Sequence, residues 1–137
     1  MRFLSKKPLE STINLDRLHG IVSINYLGTN GTILLQDYRN NQHEYWFIES
    51  DCAVQDGIII TADYFHVEEG YDFVKISDEK TEKVYTGDME SFQHLVDSTS
   101  FHVHFWSDEI LTKAGFLFNW QCNTMGVTGR LQNLVPC

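Results

Sequence analysis

Acidic side chains cluster around two of the strands that the sequence predicts, and they are the residues best suited to chemistry. Glu68, Glu69 and Asp72 flank the strand that begins Tyr71-Asp72-Phe73-Val74, and Ser107-Asp108-Glu109 ends another. Carboxylates that converge from loops at one edge repel each other unless a cation neutralises them. Calcium suits such a site, because it takes about 6–8 oxygen ligands from carboxylates, carbonyls and water. The alternative is that these acids are solvated residues of turns.

Two histidines pose a similar question. His102 and His104 lie two residues apart, on one face of a predicted strand, where they could share a zinc ion. A third ligand at suitable spacing is not evident, and a polar outer strand face is sufficient to explain the pair. The sequence contains no Gly-x-Ser-x-Gly, no His-Glu-x-x-His and no glycine-rich phosphate loop. We therefore expect no catalytic site, and we expect the protein not to be an enzyme.

Charge and composition narrow the class of protein. The 137 residues include 19 acidic and 10 basic side chains, for a formal charge of −9. This balance disfavours binding to nucleic acid and to anionic membranes. No apolar run approaches the roughly 20 residues that span a bilayer, and no signal peptide is visible. The chain is thus either cytosolic or part of a secreted protein, and the glycosylation sequon at Asn30-Gly31-Thr32 favours secretion.

Short alternating apolar runs predict an all-β fold. In one of them, Phe101, Val103 and Phe105 would face a core, whereas His102 and His104 would face outward. Antiparallel strands separated by regular turns indicate a β-sandwich or jelly roll. A short turn of helix is expected at 89–96. The strands are expected near 21–26, 31–36, 44–49, 57–65, 71–77, 82–86, 100–106 and 114–121.

The stretch 31–122 resembles a CUB domain, the module of complement proteases, developmental metalloproteases and spermadhesins. An ordered set of motifs carries the resemblance. Its fold would be a jelly-roll β-sandwich of two antiparallel sheets, and membership implies secretion into an oxidising compartment. The motifs are Gly31-Thr32-Ile33, Tyr38-Arg39-Asn40-Asn41, Trp46-Phe47-Ile48, Phe65-His66-Val67-Glu68, Tyr71-Asp72-Phe73-Val74-Lys75-Ile76-Ser77-Asp78, Phe105-Trp106-Ser107-Asp108 and Gly115-Phe116.

The resemblance also implies a set of calcium ligands, namely Glu68, Asp72 and Asp108. The ion would order the loops, and a lysine or arginine of a partner would pair with the exposed acids. The chain departs from the family at Ile110, where a serine is usual, and at Glu79, where a glycine is common. The expected supporting residues are Tyr38, Tyr71 and Glu69.

The three cysteines differ from the family's usual pair of disulfides. Cys52 and Cys122 are expected to form one bridge of a different kind, unless they lie too far apart to bond. Cys137 would then be left over. It would bond to another chain or to a neighbouring domain, or else reflect truncation of the sequence.

Taken together, the sequence predicts an N-terminal extension at 1–18, a CUB-like sandwich at 19–122 and a C-terminal tail at 123–137. The expected function is non-catalytic recognition or adhesion outside the cell, through binding of protein or glycan, with calcium as the candidate cofactor. The alternative is a structural subunit of an extracellular coat, filament or matrix. In that case the segments 1–30 and 123–137 would clasp neighbouring copies by strand addition.

Overall fold

The alternation of apolar residues becomes the pleat of nine β-strands in a computed structural model that describes residues 28–124. Along each long strand, buried side chains alternate with partly exposed ones, as expected when one face of a sheet covers a core. The strands are β1 Asn30–Gln36, β2 His43–Glu49, β3 Ile58–His66, β4 Phe73–Ser77, β5 Glu82–Tyr85, β6 Asp88–Met89, β7 Phe92–Val96, β8 Ser100–Trp106 and β9 Gly115–Cys122.

These strands form two antiparallel sheets. One has the order β1-β9-β3-β6, with β7 also paired to β3, and the other has the order β2-β8-β4-β5. The predicted all-β jelly-roll sandwich of two antiparallel sheets is therefore confirmed. The strand expected at 21–26 lies outside the described residues. Within residues 28–124, no helix is long and apolar enough to cross a bilayer.

The helical turn expected at 89–96 is wrong, because this segment forms β6 and β7. Phe92, His94 and Val96 occupy alternate positions opposite inward-facing residues of β3. This period of two places their side chains on the core side of a strand. In addition, pairing with β3 satisfies backbone groups that a single helical turn would leave without partners.

Aromatic side chains fill the space between the two sheets. Phe101 and Phe105 of β8 are fully buried, as predicted, while His102 between them is partly exposed. Phe105 lies 6.2 Å from Phe116 of the other sheet, measured between ring centroids, and Phe101 lies 6.0 Å from Trp120. Burying each such side chain contributes about 1.5–3 kcal/mol. One continuous core therefore joins the sheets.

The disulfide expected between Cys52 and Cys122 is present, with the Cα atoms 5.3 Å apart. Cys52 follows β2 of the four-stranded sheet, and Cys122 ends β9 of the other sheet. The bridge closes a sequence separation of 70 residues. A loop of this length limits the unfolded chain enough to stabilise the fold by roughly 4 kcal/mol in the chain-entropy model.

Candidate metal centre

Two loops at one end of the sandwich carry the acidic residues that the sequence singled out: one joins β3 to β4, and the other follows β8. Glu68 follows β3, Asp72 precedes β4 and Asp108 follows β8. Phe73 at the start of β4 pairs with Trp106 at the end of β8, so the residues just beyond them emerge side by side. The structure thus brings together Glu68, Asp72 and Asp108, with one carboxylate oxygen from each lying within 4.8 Å of the others.

Asp72 is the buried centre of this group, with no exposed surface. Its Oδ2 accepts a hydrogen bond of 2.5 Å from the hydroxyl of Tyr38, and its Oδ1 accepts one of 3.0 Å from the backbone N–H of Asp108. Asp72 therefore links β4 to the loop after β8.

Tyr38, in the segment between β1 and β2, contacts both ends of the loop that carries Glu68 and Asp72. Its hydroxyl accepts a hydrogen bond of 3.3 Å from the backbone N–H of Glu68 while donating to Asp72. The side chain is 3% exposed. Burial raises the pKa of the Tyr38 hydroxyl, and the hydrogen bond to Asp72 raises it further, so the hydroxyl stays protonated. Tyr38 was predicted as a supporting residue, and the structure places it in contact with the acidic group.

Glu68 contributes an acceptor that nothing satisfies. Its Oε1 is shielded from solvent and has no hydrogen-bond partner. Shielding raises the pKa of this carboxyl, and the nearby charges of Asp108 and Asp72 raise it further, against a smaller lowering by Lys113. A shielded carboxylate oxygen without a partner is costly unless a cation or a proton meets it.

The Glu68–Asp72 loop is held by its own backbone and by Thr86. The backbone N–H of Asp72 donates to the carbonyl of Glu68 at 2.9 Å, and Gly70, with φ of 84°, permits the tight turn. Thr86 Oγ1 donates to the carbonyl of Asp72 at 2.7 Å and accepts from the N–H of Gly70 at 2.9 Å. Thr86 is a supporting residue that the sequence did not predict.

The Asp108 loop is held by a residue that sequence reasoning noticed only as part of a motif. Ser107 is buried, and its Oγ donates to the carbonyl of Arg39 at 2.6 Å and accepts from the N–H of Gln42 at 2.9 Å. The carbonyl of Asp108 accepts from the N–H of Asn41 at 2.7 Å. Asp108 is thus positioned by the chain segment that also carries Tyr38.

The remaining predicted site residues lie elsewhere. Glu69 and Tyr71 are exposed at the tip of the Glu68–Asp72 loop, outside the group of three carboxylates. Their supporting role stays a prediction. Asn30 is exposed at the start of β1, which leaves its sequon accessible, and its glycosylation also stays a prediction. Cys137 lies outside the described residues.

The histidine pair does not form the arrangement considered from sequence. His102 Nδ1 lies 2.5 Å from the hydroxyl of Tyr45 in a hydrogen bond. His104 lies beside two rings of β2. Its ring centroid is 5.7 Å from that of Tyr45 and 6.0 Å from that of His43. Among residues 28–124, no group of three histidine, cysteine or acidic side chains with metal-ligand spacing includes His102 or His104.

The chemistry of the acidic group fits calcium. Its donors are all oxygens, two of the three side chains are partly accessible, and Glu68 Oε1 has no partner in the protein. Hard cations prefer oxygen donors, and calcium accepts the irregular geometry of ligands from two loops more readily than magnesium does. Glu68, Asp72 and Asp108 would hold the ion, and Tyr38 would hold Asp72.

Comparisons with known proteins found relatives by structure alone. Neither the models of protein families nor the curated proteins yielded a match. The fold is similar to part of the full extracellular region of zebrafish Gpr126/Adgrg6, with a TM-score of 0.61 and 20% identity over 72% of this chain and 14% of that one.

Two further similar structures contain CUB domains. The Ca²⁺-bound CUB2 domain of MASP-1 matches with a TM-score of 0.58 and 16% identity, over 72% of this chain and 96% of that one. The CUB1-EGF-CUB2 region of human MASP-1/3 matches with a TM-score of 0.54 and 16% identity, over 72% of this chain and 40% of that one. This protein therefore spans well under half the length of the zebrafish and human structures. The chain carries a CUB-like β-sandwich domain.

Proposed function

We propose that this protein is a non-catalytic recognition module of the extracellular space, which binds a protein partner through an acidic edge organised by calcium. The observation that carries the proposal is the meeting of Glu68, Asp72 and Asp108, with Glu68 Oε1 shielded and without a partner. Bound calcium would supply positive charge that neutralises the mutual repulsion of the three carboxylates.

Each residue of the centre has a defined task in this proposal. Asp72 lies at the base, held by the hydroxyl of Tyr38 and the N–H of Asp108. Glu68 and Asp108 are partly exposed, so they can hold the cation and also face a partner. A lysine or arginine of the partner would form charge-assisted hydrogen bonds with them. The formal charge of −9 would favour approach of a basic partner.

An extracellular location agrees with the covalent features of the fold. The Cys52–Cys122 disulfide requires oxidising conditions to persist, and such conditions prevail outside the cell. Asn30 of the sequon is exposed. One of the similar structures is itself an extracellular region.

The alternative role, as a structural subunit of an extracellular assembly, depends on the terminal segments. These segments, 1–30 and 123–137, lie almost wholly outside the described residues 28–124, so this role stays a prediction. Recognition is the function that the contacts of the acidic edge support.

Thermal unfolding in millimolar calcium and in EGTA tests the proposal. A ligand that binds only the folded state at 100 times its dissociation constant adds about 2.7 kcal/mol, which raises the unfolding midpoint by several degrees. We expect this shift in the unmodified protein and its loss in Asp108→Asn.

Glu109→Gln is the matched control, because Glu109 is the exposed acid next to Asp108. It removes the same charge without removing a ligand, so the calcium shift should persist. A midpoint that is equal in calcium and EGTA for the unmodified protein would contradict the proposal. So would a shift that Asp108→Asn and Glu109→Gln reduce equally.

A further inference from the structure

The outward face of the four-stranded sheet carries a continuous layer of rings, which we call the ring platform. Neighbouring ring centroids lie between 4.6 Å, for Phe47 and His102, and 6.0 Å, for His43 and His104. Except for the more exposed His43, each ring is partly exposed and partly covered by its neighbours. The platform consists of His43, Tyr45 and Phe47 of β2, His102, His104 and Trp106 of β8, and Phe73 of β4.

These rings are not part of the core between the sheets. The core is filled by the alternate residues of the same strands, such as Trp46, Val103 and Phe105, which are buried. An outward strand face needs only to tolerate water, and sequence reasoning had accordingly expected a polar face around His102 and His104.

Polar atoms are set between the rings. The hydroxyl of Tyr45 is hydrogen-bonded to His102 Nδ1, which fixes two of the rings relative to each other. Among the described residues no hydrogen bond engages His102 Nε2 or either ring nitrogen of His104. The platform thus combines ring faces with donors and acceptors that remain available to a ligand.

The platform has little net charge within a strongly acidic protein. Burial lowers the pKa of both His102 and His104, so these imidazoles are neutral at pH 7.4. Lys75, which faces outward beside His104 on β4, lies 3.7 Å from Glu82, and the two charges offset each other. An uncharged ligand complements such a surface better than an acidic or a basic one.

The area of the platform limits the size of the ligand. Three adjacent strands about 4.8 Å apart and five residues of about 3.3 Å give a surface of roughly 10 Å by 13 Å. A stable protein interface buries about 800 Å² on each partner, several times more than this. The platform alone is therefore too small to hold a second copy of the chain or another protein.

From the ring faces, the free polar atoms, the neutrality and the area, we propose that the ring platform binds a neutral oligosaccharide. The polarised C–H bonds of a sugar ring pack against the negative faces of aromatic rings, such as Trp106 and Phe47. Sugar hydroxyls bond to the imidazoles and to Tyr45. The inference deepens the recognition role proposed above by adding a ligand class, and it uses residues other than the acids, although the platform adjoins the acidic edge at Phe73 and Trp106.

Isothermal titration with neutral hexasaccharides of N-acetylglucosamine, mannose and galactose tests this inference, at pH 7.4 and in EGTA. EGTA removes any contribution of calcium, so sugar binding can succeed even where the calcium proposal fails, and the reverse. We expect saturable binding of at least one hexasaccharide. Trp106→Ala and Phe47→Ala should each weaken it at least tenfold, with folding checked by far-ultraviolet circular dichroism.

Leu34→Ala is the matched control, because Leu34 is an exposed apolar residue (48%) on the outward face of the other sheet. It should leave the dissociation constant unchanged. Should the two platform variants lose their fold, Tyr45→Phe keeps the ring and should still weaken binding. Absence of binding at millimolar sugar would overturn the inference. A sialylated hexasaccharide that binds tenfold more tightly than its neutral parent would do the same.

Discussion

The outward faces of the two sheets differ, although the same alternation builds both. On the five-stranded sheet, Thr32 Oγ1 donates to Asn119 Oδ1 at 2.9 Å, and Asn119 Nδ2 donates to Asp63 Oδ2 at 3.1 Å. These residues belong to three adjacent strands, so a polar ladder crosses that face. On the four-stranded sheet, the ring platform occupies the corresponding position.

This difference shows that the core constrains the inward residues of each sheet and leaves the outward residues free to vary. The inward residues of both sheets are mostly aromatic or aliphatic, because they share one core; Glu44 and His94 are exceptions. The outward residues are not determined by the core, so a polar ladder on one face and rings on the other are equally compatible with the fold. The ring platform must then have another physical reason, and binding is the one proposed.

The largest expected contrast lies between two neighbours on β8. Phe105 is fully buried, 4.7 Å from the ring of Tyr38, so Phe105→Ala should lower the free energy of unfolding by about 3–5 kcal/mol. Trp106→Ala removes a partly exposed ring stacked 5.3 Å from Phe73, and should cost less, about 1–2 kcal/mol. Urea unfolding measures both. Similar losses would mean that the outward face is as essential to the fold as the core.

A smaller contrast compares one hydrogen bond from each outward face. Tyr45→Phe removes the partly buried bond to His102 and should cost about 1 kcal/mol of unfolding free energy. Thr32→Val removes the exposed bond to Asn119 and should cost about 0.5 kcal/mol. Urea unfolding of both variants at pH 7.4 tests this order. A larger loss of unfolding free energy for Thr32→Val would contradict the expectation that the hydrogen bond of the ring platform is the stronger of the two.

The smallest expected effect is on the pH dependence of stability. Burial lowers the pKa of His102, and burial with the charges of His43 and Lys75 lowers that of His104. The unfolded chain therefore binds more protons, and the stability contribution present above about pH 6.5 is lost as pH falls below it. Unfolding between pH 7.5 and 5.5 should show this loss.

The double variant His102→Gln, His104→Gln should show a shallower loss over the same range. Part of the slope should remain, because burial also lowers the pKa of His94 on the other sheet. A raised pKa, such as that of the Glu68 carboxyl, changes the free energy of unfolding with pH in the opposite direction. This contribution is the same in the double variant and in the unmodified protein. Equal slopes for the variant and the unmodified protein would show that the ring platform does not titrate with folding.

Local sequence patterns were sufficient to predict most of this fold. Alternation identified β8 and the inward set Phe101, Val103 and Phe105, because a strand's two-residue period is visible in a few neighbours. It failed at β6 and β7, which are short and are stabilised by pairing with a distant strand. The acids Glu68, Asp72 and Asp108 could also be predicted as candidate site residues, because each lies at the end of a predicted strand and within a recognisable motif.

By itself, the sequence determined which residues face inward, which acids lie in turns and which cysteines were available to bond. Only the tertiary structure decided how the Glu68–Asp72 loop meets Tyr38 and Asp108, since these contacts join residues 30 or more positions apart. The same holds for the ring platform. Its rings come from β2, β4 and β8, and only the strand order β2-β8-β4 brings them into contact. Backbone period is a local property, whereas adjacency across a sheet depends on the packing of the whole chain.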